Sequence, residues 1–329
     1  MNEARDRGGR PRGAILCYHG LTAPDWPSDN VANVPAKRFV ETVHLLRRVG
    51  RIVPPADLVG RYLAGEPTAG LYAITFDDAY RSLYDLAGDF VRRERVPIAV
   101  FPTIEGSEGG APFWWDRVDD AFPRAGPERW RRFEEEIELP PEYRTGQPRS
   151  FGPVRPVRQW ILAAWAGRRA EALETALGRL EADTGWRTRQ RPMTFAELDQ
   201  LASLPGVTIG VHTVSHPVLP LLSEPEQVAE IGRAGAALRE RYSTFLPLLA
   251  APFGLFDADT ERLARQAGVG GVLTLGGGLA EPYREAGGVP RICVVQGLSR
   301  WRLLTRLLTP FGGRCGGATA FPDLPSAAT

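Results

Sequence analysis

Two adjacent carboxylates, Asp77 and Asp78, close the apolar run Leu71-Tyr-Ala-Ile-Thr-Phe76. The run is short, rich in strand-favouring residues and followed at once by a helical pattern from Ala79-Tyr80, so it predicts a buried strand with both acids at its C-terminal end. Like charges repel and burial disfavours each ionised form. Neighbouring acids at such a place call for a cation between them, or for one acid to bind a metal while the other handles a proton. A second constellation offers neutral partners: His212-Thr-Val-Ser-His216. At helical spacing a single turn brings both imidazoles to one ion, and Pro217 keeps that turn short. The bland alternative is one hydrogen-bonded histidine and one solvated histidine. The chain has only 4 histidines, and two stand here directly after a predicted strand, which favours metal binding. Two imidazoles and a carboxylate with open positions make a catalytic coordination set. Zinc is the default ion, and other first-row divalent ions fit.

The elements that must position these groups alternate. Strands are predicted at 14–19, 51–53, 71–76, 98–104, 207–211, 248–253, 269–275 and 291–295, with helices at 35–49, 56–64, 80–94, 194–204, 223–242, 257–267 and 301–308. Thr194–Glu197 and Ser223–Glu226 read as capping boxes, and Asp257 as a helix N-cap. The pattern is that of an α/β fold, a distorted or incomplete (β/α) barrel of about seven strands. Its rhythm breaks over 105–191, read as a mainly helical insertion packed on the barrel, with helices near 128–138 and 157–183. The expected organisation is a disordered tail over 1–13, the barrel over 14–310 and a C-terminal tail over 311–329. In such barrels chemistry sits at the strand C-termini, where Asp77, Asp78, His212, Phe253 and His19 fall.

Composition narrows the function. At 329 residues, 43% hydrophobic and 24% charged, the chain has the profile of a soluble globular protein. A net charge of +1 gives no basis for nucleic acid as a partner. No apolar run approaches the ~20 residues of a membrane span. No signal-peptide pattern is seen, so a cytoplasmic location is expected. Three scattered cysteines, Cys17, Cys293 and Cys315, suggest neither a disulfide framework nor a zinc cluster. Lys37, the only lysine, lies in a predicted surface helix, which argues against Schiff-base chemistry.

Taken together, Thr75-Phe-Asp-Asp78, then His212-Thr-Val-Ser-His216, then Ala251-Pro-Phe-Gly254 resemble the polysaccharide deacetylase family, carbohydrate esterase family four. The motifs stand in the family's order, and the similarity covers most of the chain outside the insertion and tails. The resemblance implies a divalent metal held by Asp78, His212 and His216, with Asp77 as general base. It also implies hydrolysis of an acetyl group from an N-acetylated amino sugar, with the backbone N–H of Phe253 stabilising the oxyanion. The sequence departs from the family in two places. The arginine that often precedes the proline by two residues is replaced by Ala250, and Arg291 is the candidate to brace the base instead. The late Leu-x-x-His that supplies a general acid is missing, so either Asp77 shuttles the proton both ways or His19 serves.

Trp114 and Trp115 either stack on a sugar ring or pin the insertion to the barrel. Asp116, Asp119 and Asp120 read as a solvated face, and His44 as solvated. The expected function is a metal-dependent hydrolase acting on a small-molecule or oligosaccharide substrate that carries an N-acetyl group. The alternatives are hydrolysis of a non-sugar C–N amide, or a catalytically silent carbohydrate-binding barrel.

Overall fold

Among the described residues every hydrogen-bonded strand pair is parallel, and the sheet bends until the strand Leu71–Asp77 meets the strand Ala14–Tyr18. The computed structural model describes residues 13–144, 154–168, 170–275 and 288–308. The strands, in chain order, are β1 (Ala14–Tyr18), β2 (Leu21–Thr22), β3 (Val34–Pro35), β4 (Arg51–Ile52), β5 (Leu71–Asp77), β6 (Ile98–Phe101), β7 (Val207–Val211), β8 (Phe245–Ala250), β9 (Gly271–Leu275) and β10 (Val289–Cys293). The order β1-β10-β9-β8-β7-β6-β5 closes because β5 also pairs with β1, Ala14 lying opposite Tyr72 and Tyr18 opposite Phe76. The barrel is therefore seven-stranded. β4 pairs only with the first residues of β5, and β2 pairs with β3 in a separate ribbon.

Parallel pairing demands crossovers, and helices supply them. They are α1 (Ala36–Val49), α2 (Pro55–Leu63), α3 (Arg81–Glu94), α4 (Ile104–Gly109), α5 (Trp114–Glu136), α6 (Val154–Trp165), α7 (Glu171–Thr184), α8 (Phe195–Ala202), α9 (Glu224–Arg241), α10 (Ala258–Gln266) and α11 (Arg300–Leu308). Strand alternation divides the core. Tyr72, Ile74 and Phe76 of β5 pack outward with Phe39, Val43 and Leu83 of the surrounding helices. Ala73 packs inward with Ile15, Ala99, Phe101 and Ala250. By the same alternation Thr75 and Asp77 face the barrel interior. Helix α2 adds Leu58 and Tyr62 to that inner cluster beside Leu71 and Leu246, which lie at the starts of their strands. Apolar packing thus fills the N-terminal end of the barrel and leaves polar chemistry to the other end.

Several sequence expectations shift. The strand expected over 98–104 ends at Phe101, because the Thr103 hydroxyl accepts from Gly106 N at 3.2 Å and starts α4. The long helix expected over 157–183 is two helices, separated by a turn in which Ala166 and Gly167 take φ of 50° and 74°. The helix expected near 128–138 is the second half of α5, which kinks at Gly126 before Pro127. Helices α5, α6 and α7 share their own apolar cluster, built on Trp114, Trp130, Leu173 and Leu177. The tails expected over 1–13 and 311–329 lie, apart from Gly13, outside the described residues. Among the described residues no helix is long and apolar enough to cross a membrane.

The chain returns to the barrel through a polar clamp. Glu197 completes the predicted capping box with Thr194 and accepts a fork from Arg191 at 2.7 Å to each oxygen. Arg81, at the start of α3, also reaches it at 2.6 Å. The Arg191 hydrogen bonds, outweighing the effect of burial, hold the Glu197 carboxyl down at about 2. A depressed acid contributes stability above its unfolded pKa and loses it as pH falls through its folded one. Glu197→Gln is expected to cost about 1 kcal/mol at neutral pH, a charge-assisted interaction discounted for partial exposure. Thermal unfolding should also fall less steeply for this variant than for wild type between pH 4.5 and 2. Parallel curves over that window would show that the clamp does not carry the effect.

Candidate active site

Four loops meet over the C-terminal mouth of the barrel, following β1, β5, β7 and β8. Asp77 is the last residue of β5 and only 2% exposed. Its inward register aims it at Arg291 in the middle of β10, whose Nη1 and Nη2 each donate to one carboxylate oxygen at 2.7 Å. Arg291 Nη1 also donates to Thr75 Oγ1 at 3.1 Å, and the Cys17 thiol donates to Asp77 Oδ2 at 3.3 Å. Burial alone would raise the Asp77 pKa. The Arg291 guanidinium, helped by His212, overrides it and holds the carboxyl well below the usual range. Arg291 is itself fully buried, so this pair is an internal brace and not a strand-opening surface arginine.

Asp78 leaves the strand with a φ of 63°, and that left-handed step turns its side chain away from Arg291. It faces both histidines: Oδ1 lies 3.4 Å from His212 Nε2 and 3.4 Å from His216 Nε2. The helical turn expected over 212–216 is absent. His212 follows β7 directly, and the loop bends through left-handed φ at Thr213 (67°) and His216 (61°), bringing the imidazoles together at 4.6 Å between centroids. Among the described residues, five of the eight non-glycine residues with positive φ belong to this rim: Asp78, Ala79, Thr213, His216 and Phe253. Strained backbone kept at a site is a functional pointer.

The supports of that loop escaped the sequence reading. Glu230, on α9, accepts from Val214 N and Ser215 N at 2.9 Å each and from Ser215 Oγ at 2.7 Å. The Thr213 hydroxyl accepts from His216 N at 3.1 Å. The HxxxH spacing points to the two histidines but not to the carboxylate that folds the loop, because α9 begins a separate capping-box segment. His212 Nδ1 lies 2.7 Å from the Ala250 carbonyl. A carbonyl only accepts, so Nδ1 carries a proton and Nε2 is the ring atom turned to Asp78, whose carboxylate, outweighing burial, raises the His212 pKa.

Do these groups suit a metal? One ligand atom from each of Asp78, His212 and His216 lies within 4.8 Å of the others. Ligands about 2.0–2.1 Å from a tetrahedral ion sit about 3.3 Å apart, close to the two separations of 3.4 Å. Asp78 Oδ1 is buried without a hydrogen-bond partner. Burial and the neighbouring His212 lower the His216 pKa to about 3, so its imidazole is neutral. The donor set fits a divalent ion. Cys17, His19 and Asp77 also cluster, but Arg291 occupies both oxygens of Asp77 and burial pushes the Cys17 thiol up, which makes that set a poor competitor.

A cavity of ≈70 Å³ joins these groups, with His19, Tyr80, Trp115 and Phe253 in its walls. His19 is half-buried, and its Nδ1 is buried without a partner. Burial lowers its pKa against the pull of Asp78 and Asp77. Phe253 has a φ of 57° and meets His216 edge to face, with ring centroids 4.4 Å apart. Trp115 contacts His216 from 4.6 Å and donates to Tyr80 Oη at 2.9 Å, while Trp114 Nε1 donates to the Gly167 carbonyl at 3.1 Å. The tryptophan pair thus both pins α5 and walls the site. Asp116, Asp119 and Asp120 are buried and not a solvated face. Asp116 accepts from Tyr80 Oη and from the side-chain amides of Asn30 and Asn33, and burial pushes its carboxyl well up. Asp257 caps α10 by accepting from Thr260 N at 2.8 Å, and His44 lies exposed on α1, both as expected.

Comparison with known proteins agrees with this geometry. The polysaccharide deacetylase family model matches residues 161–272, a span that includes His212, His216 and Pro252–Gly254 but not the acid pair. That domain is one of deacetylases, hydrolases of carbon–nitrogen bonds. No curated protein matches. Among solved structures, IcaB from Ammonifex degensii is 19% identical with a TM-score of 0.55, covering 91% of this chain and 98% of its own. The Streptococcus pyogenes deacetylase PplD, solved with acetate, is 16% identical with a TM-score of 0.55, covering 90% and 99%. A de-N-acetylase from Aggregatibacter actinomycetemcomitans is 12% identical with a TM-score of 0.51, covering 90% and 100%. At these identities the structures establish a shared fold. The resemblance to polysaccharide deacetylases holds in the family match and in the barrel.

His212→Ala is expected to lower divalent-metal content after dialysis by about tenfold or more, whereas His19→Ala keeps it near the wild-type level. Elemental analysis of the dialysed proteins checks this. Equal losses would mean that the ligand set is misassigned.

Proposed function

We propose that this chain is a metal-dependent hydrolase that removes the acetyl group from an N-acetylated amino sugar. The observation that carries the reading is the convergence of Asp78, His212 and His216 beside Asp77 in one cavity. Those three residues would hold a divalent ion, zinc or another first-row metal, which would supply Lewis acidity and lower the pKa of water so that a nucleophile is available near neutral pH. A cytoplasmic setting, expected from the sequence, is part of the same proposal.

The chain's own residues divide the rest of the work. Asp77 accepts the proton of the attacking water. Arg291 keeps it ionised and fixes its plane, so Asp77 is a weak but always available base, and the proton it takes is readily passed on. The Phe253 N–H has no acceptor among the described hydrogen bonds, which leaves it free to meet the oxygen that gains charge as the carbonyl is attacked. His19, with a buried and unpartnered Nδ1 in the same cavity, relays a proton to the departing amine. Trp115, Phe253 and Leu275 give the cavity an apolar side suited to the acetyl methyl. The cavity is small, ≈70 Å³, so the acetamido group enters it and the sugar itself rests at the rim. Water and amide are consumed, and acetate and a free amine are formed.

Acetate release from N-acetylglucosamine oligomers is the assay. Asp77→Asn should retain metal and lower kcat by roughly 10²–10⁴-fold, the usual worth of a positioned base, with a smaller loss for His19→Gln. Wild-type rates in Asp77→Asn would remove this aspartate from the chemistry.

A further inference from the structure

The cavity has one more charged wall, and the reaction as described makes no use of it. Arg158, from α6, lines it together with the acid and histidine groups. Its Nη1 donates to Asp119 Oδ2 of α5 at 2.9 Å, with side-chain exposures of 29% and 10%. Among the described residues no acceptor meets its Nε or Nη2. Asp119 therefore braces one arm of the guanidinium, and the rest of the fork stays open. The position is firm, because α6 ends in a turn tied down twice. Trp114 Nε1 donates to the Gly167 carbonyl, and Val218 N donates to the Ala166 carbonyl at 2.7 Å.

With a divalent ion in place, the charges around the cavity would favour an anion. Asp77 is balanced by Arg291 and Asp119 by Arg158, so a divalent ion on Asp78 leaves the cavity net positive. Asn30 and Tyr80, also on the wall, are already engaged, since both donate to Asp116. A free guanidinium fork in a partly desolvated place recognises planar or tetrahedral oxyanions by paired, charge-assisted hydrogen bonds. We propose that Arg158 is a specificity residue that selects N-acetylated sugars bearing an oxyanion substituent, carboxylate or phosphoryl, near the acetamido group. The proposal rests on the deacetylase reading and names its substrate class.

The test compares acetate release from three probes: N-acetylglucosamine, N-acetylmuramic acid (a carboxylate) and N-acetylglucosamine 1-phosphate (a phosphoryl group). In the wild-type protein, kcat/KM for at least one anionic probe should exceed that for the neutral sugar, and the better probe identifies the oxyanion. In Arg158→Gln, the ratio of anionic to neutral kcat/KM should fall by about tenfold to a hundredfold, the loss expected for a charge-assisted contact. Arg158→Lys, which keeps the charge without the fork, should recover part of that ratio. A neutral sugar preferred by the wild-type protein, or a ratio unchanged in Arg158→Gln, overturns this proposal while leaving the deacetylase reading intact. No acetate from any probe defeats both.

Discussion

Two carboxylates side by side in a buried place must be neutralised separately, and the rest of the active site follows from how this is done. Taking an ionised carboxylate out of water costs several kcal/mol unless a counter-charge and hydrogen bonds replace the solvent. Asp77 obtains both from Arg291, which reaches it from β10 on the same inner face of the barrel. Asp78 turns the other way through a left-handed step and meets two imidazoles instead, one of them strongly disfavouring a proton. A cation shared by those three groups would complete the neutralisation. On the proposed function, the division separates a proton-handling acid from a metal-holding acid although they are neighbours in sequence.

Holding that arrangement requires backbone that L-residues adopt reluctantly, and the surroundings constrain it from several sides. Glu230 gathers three donors of the 213–216 loop, and the rings of Trp115 and Phe253 confine His216. The start of α3 is sewn to residues 191–193 by hydrogen bonds from Arg81 N to the Arg191 carbonyl and from Met193 N to the Ala79 carbonyl. The chain between 105 and 191 thus leaves and returns at the rim, and its helices supply Trp115 and Arg158 to the cavity wall. Barrel and helices share one site. The barrel provides the acids and histidines, while α5 and α6 shape what can approach them.

Much of this was legible in the sequence because the signals were local. An apolar run ending in Asp77-Asp78, two histidines behind a strand, and capping boxes at Thr194 and Ser223 all lie within a few residues, and the structure places each as expected. Arg291 was reachable only by elimination, since nothing near it in sequence says that its neighbour is Asp77 across the barrel. The HxxxH spacing suggested the right grouping for the wrong geometric reason, because left-handed turns at Thr213 and His216 replace a helical turn. Asp116, Asp119 and Asp120 looked solvated because their partners, Tyr80, Asn30 and Arg158, come from distant segments. Glu230 stayed hidden for the same reason. Long-range polar pairing is a property of the closed fold, and sequence periodicity does not encode it.

The central claim is that one ion joins Asp78, His212 and His216. X-ray absorption at the metal edge of zinc-loaded protein tests it most directly. The account predicts a single ion with two imidazole nitrogens and one carboxylate oxygen at about 2.0–2.2 Å, with any further positions filled by water. A spectrum with sulfur in the coordination shell, or with no imidazole scattering, would contradict it.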